Sequence, residues 1–207
     1  MAKEEGLEGI DLILRSRKVA SQLVEGETFD SDMEYSDDYG STWKELNDIC
    51  TVYEEVYAEF ILPRDMKFYL RCKSDHHFAP VINSTGDYAI GGNTMSLLYT
   101  EDAFRNKTEL PNKTGVGSNF LGVFANLSEG GANSGLKDAS KLKLPATTLT
   151  ETCYQMMFLG TNLTTVSEDL LPSTTLSYGC YYGMFGASKI TEAPYLPATT
   201  SVDSVEG

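Results

Sequence analysis

The cysteines and histidines have the strongest potential for chemistry, and their spacing argues against catalysis. The chain has four cysteines and two histidines, and no Cys-x-x-Cys pair, which argues against a zinc site. His76 and His77 are adjacent, so on a strand they point to opposite faces and form a poor chelate; a role on a loop surface is favoured. The sequence has no Gly-x-Ser-x-Gly elbow, the motif that presents a nucleophilic serine. We therefore predict that the protein is not an enzyme and uses no metal or cofactor.

The carboxylates leave two alternatives open. Adjacent acids such as Glu168-Asp169 do not define a cleft, but a glycosidase can draw its two carboxylates from distant positions. Asp30, Asp32 and Glu34 alternate like the start of a calcium loop, without the glycine and distal glutamate that such a loop requires. A plain acidic loop is the favoured interpretation.

The charge balance excludes whole classes of partner. Acidic residues outnumber basic ones by 30 to 16, and the first 60 residues hold sixteen acids against five bases. Such a chain is not drawn to nucleic-acid phosphates or to anionic lipid. No apolar run approaches the roughly 20 residues that span a bilayer. We expect neither a nucleic-acid partner nor membrane insertion.

The first 42 residues predict an acidic anchor or linker segment. Residues 7–24 favour a helix, although Ile10, Leu12 and Leu14 also alternate as in a strand. Residues 25–38 hold seven acids and no base, which predicts a solvated linker. The start of the chain is acidic where a secretory signal is basic, so we expect no signal peptide.

Residues 43–115 predict a small β-rich module. Met66, Phe68, Leu70 and Cys72 alternate with polar residues, which is typical of a half-buried antiparallel strand. Two further apolar segments are separated by residues 91–93, Gly-Gly-Asn, which predict a turn.

The strongest signal is an internal repeat. Leu-Pro-x-Thr-Thr begins at Leu144, Leu171 and Leu196, in steps of 27 and 25 residues. The first two copies are followed by Cys-Tyr-x-x-Met-Phe, beginning at Cys153 and Cys180. Residues 120–124, Phe-x-x-Val-Phe, are a degenerate earlier copy. Apolar groups at i, i+1, i+4 and i+5 predict a short helix, and the Leu-Pro-x-Thr-Thr stretch predicts a short strand with a corner.

One such unit is too small to bury its apolar face alone, so equivalent positions should stack from coil to coil in a solenoid. The predicted repeat core consists of the following residues: Leu136, Leu144, Leu149, Cys153, Met157, Phe158, Leu163, Leu171, Leu176, Cys180, Met184, Phe185, Ile190 and Leu196. Cys153 and Cys180 are expected to be reduced members of this core, with a disulfide as the alternative.

The repeat resembles the leucine-rich repeat of the Bacteroides surface-antigen type. Its members occur in gut bacteria and in their tailed, crAss-like phages, and the resemblance covers roughly residues 43–200. It implies a mixed, β-rich α+β fold, with a small antiparallel β module at 43–115 and a short leucine-rich-repeat solenoid at 116–207. The anchor segment 1–42 precedes them and has no part in the resemblance.

The chain departs from the bacterial members in ways that point to a virion. Export signals are typical of those members, whereas this chain shows none, has about two and a half repeats, and lacks Gly-Cys-Thr after Met-Phe. Virion parts assemble in the host cytoplasm and need no export. The resemblance therefore implies a phage virion structural protein, a capsid decoration or head-fibre protein. The alternative is a bacterial leucine-rich-repeat protein for protein–protein contact or cell-surface adhesion.

Exposed tyrosines are the predicted binding residues. Tyr182 and Tyr195 are expected at the surface, where aromatic faces beside hydroxyl and amide groups suit sugar or protein recognition. Tyr154 and Tyr181 are expected in the core. The predicted partners are other virion proteins, contacted through the N-terminal region, further copies of the chain in a homo-oligomer, and a glycan or protein of the host cell surface.

Overall fold

The fold is taken from a computed structural model, which describes residues 10–15, 32–53, 57–62, 67–84, 86–111, 118–126 and 135–201. Within these ranges, short strands predominate and the helical segments are brief. The strands are β1 (Ile10–Arg15), β2 (Met33–Ser36), β3 (Lys44–Glu45), β4 (Thr51–Tyr53), β5 (Tyr57–Leu62), β6 (Tyr69–Cys72), β7 (Val81–Ser84), β8 (Tyr88–Asn93), β9 (Leu136–Lys143), β10 (Thr165–Val166), β11 (Thr175–Leu176) and β12 (Thr200–Ser201). The helical segments are the 3₁₀ turns Leu46–Asp48 and Thr94–Leu97 and the single-turn helix α1 (Glu101–Phe104).

Strand β1 corrects the prediction of an N-terminal helix. It lies inside an antiparallel sheet of order β4-β5-β1-β7, with Ile10 opposite Leu62 and Leu12 opposite Ser84. Of the two interpretations of Ile10, Leu12 and Leu14, the strand is therefore the one that the backbone adopts. The remaining residues of 7–24 lie outside the described residues.

Strand β2 corrects the interpretation of 25–38 as a solvated linker. Met33 and Tyr35 are buried, whereas Glu34 faces outward and its carboxylate accepts a hydrogen bond of 2.8 Å from Nε of Arg71. β2 pairs antiparallel with β3 and with β6. Because side chains alternate along a strand, an acidic segment can bury every second residue and leave its charges in solvent. Residues 25–31 lie outside the described part of the chain.

Asp38 shows how the acidic segment makes its own turn. Its carboxylate accepts hydrogen bonds from the hydroxyl of Thr42 (2.6 Å), the amide of Thr42 (2.9 Å) and the hydroxyl of Ser36 (2.7 Å). These donors, the Thr42 hydroxyl foremost, hold the pKa of Asp38 well below its usual range. Hydrogen bonds to the ionised carboxylate thus define the turn after β2.

From β8 onward, the strands pair in parallel. β9 lies between β8 and β10, and β11 pairs with β12. β8 continues through Gly91 and Gly92, where the sequence predicted a turn. A Cβ at Gly91 would lie 2.9 Å from the Cβ of Lys141, so glycine here permits close approach of β8 to β9 rather than a reversal of the chain.

One hydrophobic cluster joins the two kinds of sheet. Met33 and Leu46 from the N-terminal part belong to the same buried cluster as Leu136, Met157 and Met184. β2, which comes from the predicted anchor segment, pairs with β6 of the predicted β module. In the described ranges, no helix has the length and apolarity to cross a membrane.

Candidate binding surface

Three segments of consecutive turns form the framework of the surface: coil 1 (118–126), coil 2 (151–160) and coil 3 (177–188). The prediction of a short helix here is wrong. Positive φ angles recur every fourth residue, at Thr152, Met156 and Gly160 in coil 2, and a right-handed helix has none. This period of four still places Cys153 and Met157 on one side, which is why the pattern resembled a helix with its period of 3.6.

A ladder of main-chain hydrogen bonds joins the coils. In coil 1, every second amide donates to a carbonyl of coil 2, from Ser118 N to Glu151 O (2.9 Å) through Asn126 N to Leu159 O (2.8 Å). Coil 2 donates to coil 3 in the same way, from Thr152 N to Tyr178 O (2.8 Å) through Gly160 N to Gly186 O (2.8 Å). The intervening amides bond within their own coil, as Gln155 N does to Thr152 O (3.1 Å).

Two columns of stacked rings run through the ladder. Ring centroids are 5.3 Å apart for Phe120 and Tyr154 and 5.9 Å apart for Tyr154 and Tyr181. In the second column, Phe124 and Phe158 are 5.7 Å apart, and Phe158 and Phe185 are 5.5 Å apart. The interplanar angles are between 8° and 15°. Offset stacking at these distances adds to the burial of the rings.

The repeat cysteines are inert as nucleophiles in this setting. Cys153 and Cys180 are buried free thiols. Burial raises the pKa of Cys153 to about 12 and raises that of Cys180 as well. A thiol that stays protonated attacks neither a substrate nor a disulfide at neutral pH.

Most of the residues assigned to the repeat core are enclosed. The buried ones are Leu136, Leu144, Leu149, Cys153, Met157, Phe158, Leu163, Leu171, Cys180 and Met184. Leu176, Phe185 and Ile190 are partly buried and pack against them. Leu196 corrects the prediction: its side chain is 44% exposed, since no described coil packs over the segment that carries it.

The tyrosines that were predicted to bind lie at the surface but on separate segments. Tyr182, in coil 3, is 65% exposed, and Tyr195 is 66% exposed. The amide of Tyr195 donates to the carbonyl of Glu168 (2.9 Å), which fixes its segment against the preceding repeat. Tyr154 is fully buried and Tyr181 is partly buried. The sequence analysis missed Tyr178, which is 61% exposed at the start of coil 3 and has the same repeat position as Glu151.

A strip of exposed threonines was also missed. Three Thr-Thr pairs of the Leu-Pro-x-Thr-Thr motif make up this threonine strip: Thr147, Thr148, Thr174, Thr175, Thr199 and Thr200. Parallel pairing of β11 with β12 brings the hydroxyls of Thr175 and Thr200 to 3.1 Å. Ser173, buried beneath the strip, donates to the carbonyl of Thr147 (2.9 Å). The sequence contained a signal for this strip, because the Thr-Thr pair recurs in every copy of the motif although it is not part of the apolar pattern.

The N-terminal end of the ladder is covered by the preceding module. Amides of Ala79 and Ile82 donate to the carbonyls of Asn119 (2.8 Å) and Val123 (2.6 Å) of coil 1. The buried Asn119 side chain donates to the carbonyls of His77 (2.8 Å) and Pro111 (3.1 Å). It also accepts from the hydroxyl of Thr150 (2.6 Å). Coil 1 is thus bound on both sides.

The histidine and carboxylate side chains that could bind a metal ion or take part in catalysis make local contacts instead. Nε2 of His76 lies 2.8 Å from a carboxylate oxygen of Asp32, which also accepts from the Ser74 hydroxyl. Within the described ranges, no cluster of three or more His, Cys, Asp or Glu residues is placed to hold a metal ion. Asp30 of the calcium alternative lies outside those ranges.

Comparisons with protein-family models, with curated proteins and with solved structures find no match to this chain.

Proposed function

We propose that the chain is a non-enzymatic structural protein that displays a short leucine-rich-repeat solenoid as an adhesive surface. The observation that carries this proposal is the bonded repeat framework: the ladder holds exposed Tyr182 on coil 3, and main-chain hydrogen bonds fix the adjoining segments that carry Tyr195 and the threonine strip. A preorganised surface loses little conformational entropy when it binds a ligand.

The surface chemistry supports a sugar or protein ligand. Tyr182 and Tyr195 offer flat apolar faces, and the threonine strip adds a row of hydroxyls that both donate and accept hydrogen bonds. The repeat thiols are buried and protonated, so they support structure rather than catalysis.

We further propose that the protein belongs to a phage virion, as a capsid decoration or head-fibre protein attached through its acidic N-terminal region. The resemblance of the repeat to sequences found in tailed phages supports this setting. Quantitative mass spectrometry of density-purified particles tests it: we expect a fixed ratio to the major capsid protein. Absence from clean particles would contradict the virion setting and favour a bacterial repeat protein.

Binding to host-surface glycans tests the adhesive role. The assay is binding to an array of capsular and cell-wall polysaccharides. We expect a Tyr182→Ala, Tyr195→Ala double variant to bind at least about tenfold more weakly, since exposed aromatic side chains contribute much of the binding energy at such interfaces. The matched control is Tyr39→Ala, because Tyr39 is 73% exposed but lies outside the ladder. Equal binding by all three proteins would overturn the assignment of these tyrosines.

A further inference from the structure

Coil 3 has an open edge, whose amides have the same spacing as those by which coil 1 bonds to coil 2 and coil 2 bonds to coil 3. In coils 1 and 2, every second amide donates to the next coil. The equivalent amides of coil 3 have no acceptor in the described part of the chain, and they belong to Gly179, Tyr181, Gly183, Phe185 and Ala187. The amides between them, such as Tyr182 N to Gly179 O (3.0 Å), are paired within the coil.

The open edge consists of donors only. Every main-chain hydrogen bond between coils runs from an amide of the earlier coil to a carbonyl of the later one. Two copies of this edge therefore cannot pair with each other, because amide would face amide. At the opposite end of the ladder the row of acceptors is interrupted, since the carbonyls of Asn119 and Val123 already accept from Ala79 and Ile82.

The two ring columns end at the same edge. Tyr181 and Phe185 stack on coil 2 with one face each, and the described chain places no ring against their other faces. Both side chains are only partly buried. An occupant of the edge would therefore gain two aromatic contacts spaced four residues apart, in addition to a row of main-chain hydrogen bonds.

We propose that the open edge of coil 3 binds a polypeptide segment of another protein, which adds a further coil to the ladder. The segment runs parallel to coil 3, offers a carbonyl acceptor at every second residue, and carries flat apolar side chains four residues apart. The argument is one of continuity, because the same edge is filled twice by such a segment within this chain. Main-chain pairing provides affinity, and the two ring contacts provide specificity. The proposal does not depend on the virion setting.

Site-resolved amide exchange of the full-length, ¹⁵N-labelled chain tests the proposal. In the chain alone, we expect fast exchange at Gly179, Tyr181 and Gly183 and slow exchange at Tyr182 and Met184. The probe is a synthetic peptide with the sequence of residues 171–188 carrying Cys180→Ala, because this segment accepts the equivalent edge from coil 2. At saturation we expect the fast amides to slow by about tenfold or more, whereas a scrambled peptide has no effect.

Ring contacts are tested by two variants. Tyr181→Ala should weaken binding of the peptide, and Tyr39→Ala, which removes an exposed ring outside the ladder, should not. Protection in the peptide-free chain that persists on dilution would assign the edge to the chain's own C-terminal residues. Protection that rises with protein concentration would assign it to a second copy. Either result, or a lack of response to the peptide, would overturn the proposal.

Discussion

At the scale of single residues, Tyr154 carries a hydroxyl that its position does not use. Its ring is fully buried between Phe120 and Tyr181, and the hydroxyl has no hydrogen-bond partner in the described structure. Coil 1 has phenylalanine at the same repeat position. The ring stack therefore contributes to stability, whereas the hydroxyl is a buried polar group without compensation.

We expect Tyr154→Phe to raise the free energy of unfolding by about 1 kcal/mol, because it removes an unsatisfied buried hydroxyl and keeps the stack. Urea unfolding measures the change. Tyr181→Phe is the matched control and should have little effect, since Tyr181 is only partly buried. A loss of stability in Tyr154→Phe would show that the hydroxyl has a partner.

The pKa of Cys153 predicts a loss of stability at high pH. Burial raises this pKa from 9.0 to about 12, so the folded thiol keeps a proton that the unfolded thiol loses. The contribution is fully present below pH 9 and declines as the pH rises towards 12, by about 1.4 kcal/mol per pH unit. Urea unfolding at pH 8 to 11 measures how steeply the free energy of unfolding falls with pH. Cys153→Ala should make this slope shallower by the contribution of one proton, about 1.4 kcal/mol per pH unit.

Cys50 provides the control for that measurement. Its pKa is raised to about 11, also by burial, so Cys50→Ala should reduce the slope over a narrower range of pH. An unchanged slope in the Cys153→Ala variant would contradict the burial of this thiol.

At the scale of the elements, close approach of the coils sets the requirement for glycine. Gly160 has a φ of +70°, and a Cβ there would lie 2.9 Å from the carbonyl oxygen of Asn126 in coil 1. Gly183, in coil 3, has a similar φ of +61°, but its nearest neighbour would be the flexible Cγ of Met156 at 3.5 Å. An alanine at either position would have to adopt the strained left-handed conformation. Only the alanine in Gly160→Ala would also bring its Cβ against the main chain of coil 1.

We expect Gly160→Ala to cost more stability than Gly183→Ala, which should lose about 1–2 kcal/mol from the left-handed conformation alone. The difference between them isolates the contact with the main chain of coil 1. Thermal and urea unfolding of both variants measure it. Equal losses would mean that coil 1 moves away without cost.

The repeat could be located from the sequence, but the conformation of its units could not. The 27-residue spacing equals the offset of paired residues such as Asp138 and Thr165. Apolar residues at i, i+1, i+4 and i+5 fit a helix and a series of turns equally well, and the choice depends on φ angles that residue types such as Thr152 and Met156 do not reveal. The exposed threonine strip follows from the same alignment once polar positions are included.

At the scale of the whole molecule, Asn119 connects coil 1 to the loops before it. Its buried amide group contacts the carbonyls of His77 and Pro111 and the hydroxyl of Thr150. Nothing in the sequence distinguished this asparagine, because its partners lie 8 to 42 residues away along the chain. Such long-range polar contacts are set by the completed fold rather than by local pattern. Strand β2 was missed for a different reason, since its acidic composition concealed the buried alternation of Met33 and Tyr35.

We expect Asn119→Ala to destabilise the protein by about 3 kcal/mol, since it leaves buried polar partners without hydrogen bonds. Thr150→Val is the control and should cost less, because it removes only one of the contacts of Asn119. Urea unfolding compares the two variants. A small effect of Asn119→Ala would show that other groups or water take over its contacts.

The position of the single tryptophan gives the molecule two separate optical signals. Trp43 precedes β3, and the guanidinium of Arg71 lies 3.9 Å from its ring centre, so its fluorescence reports on the antiparallel sheet. The stacked tyrosine and phenylalanine rings belong to the ladder, and their electronic coupling contributes to near-ultraviolet circular dichroism. Since one hydrophobic cluster spans both regions, the two signals should change together as the protein unfolds. Tryptophan fluorescence and near-ultraviolet circular dichroism, followed through the same unfolding transition, therefore show whether the sheet and the ladder behave as one cooperative unit.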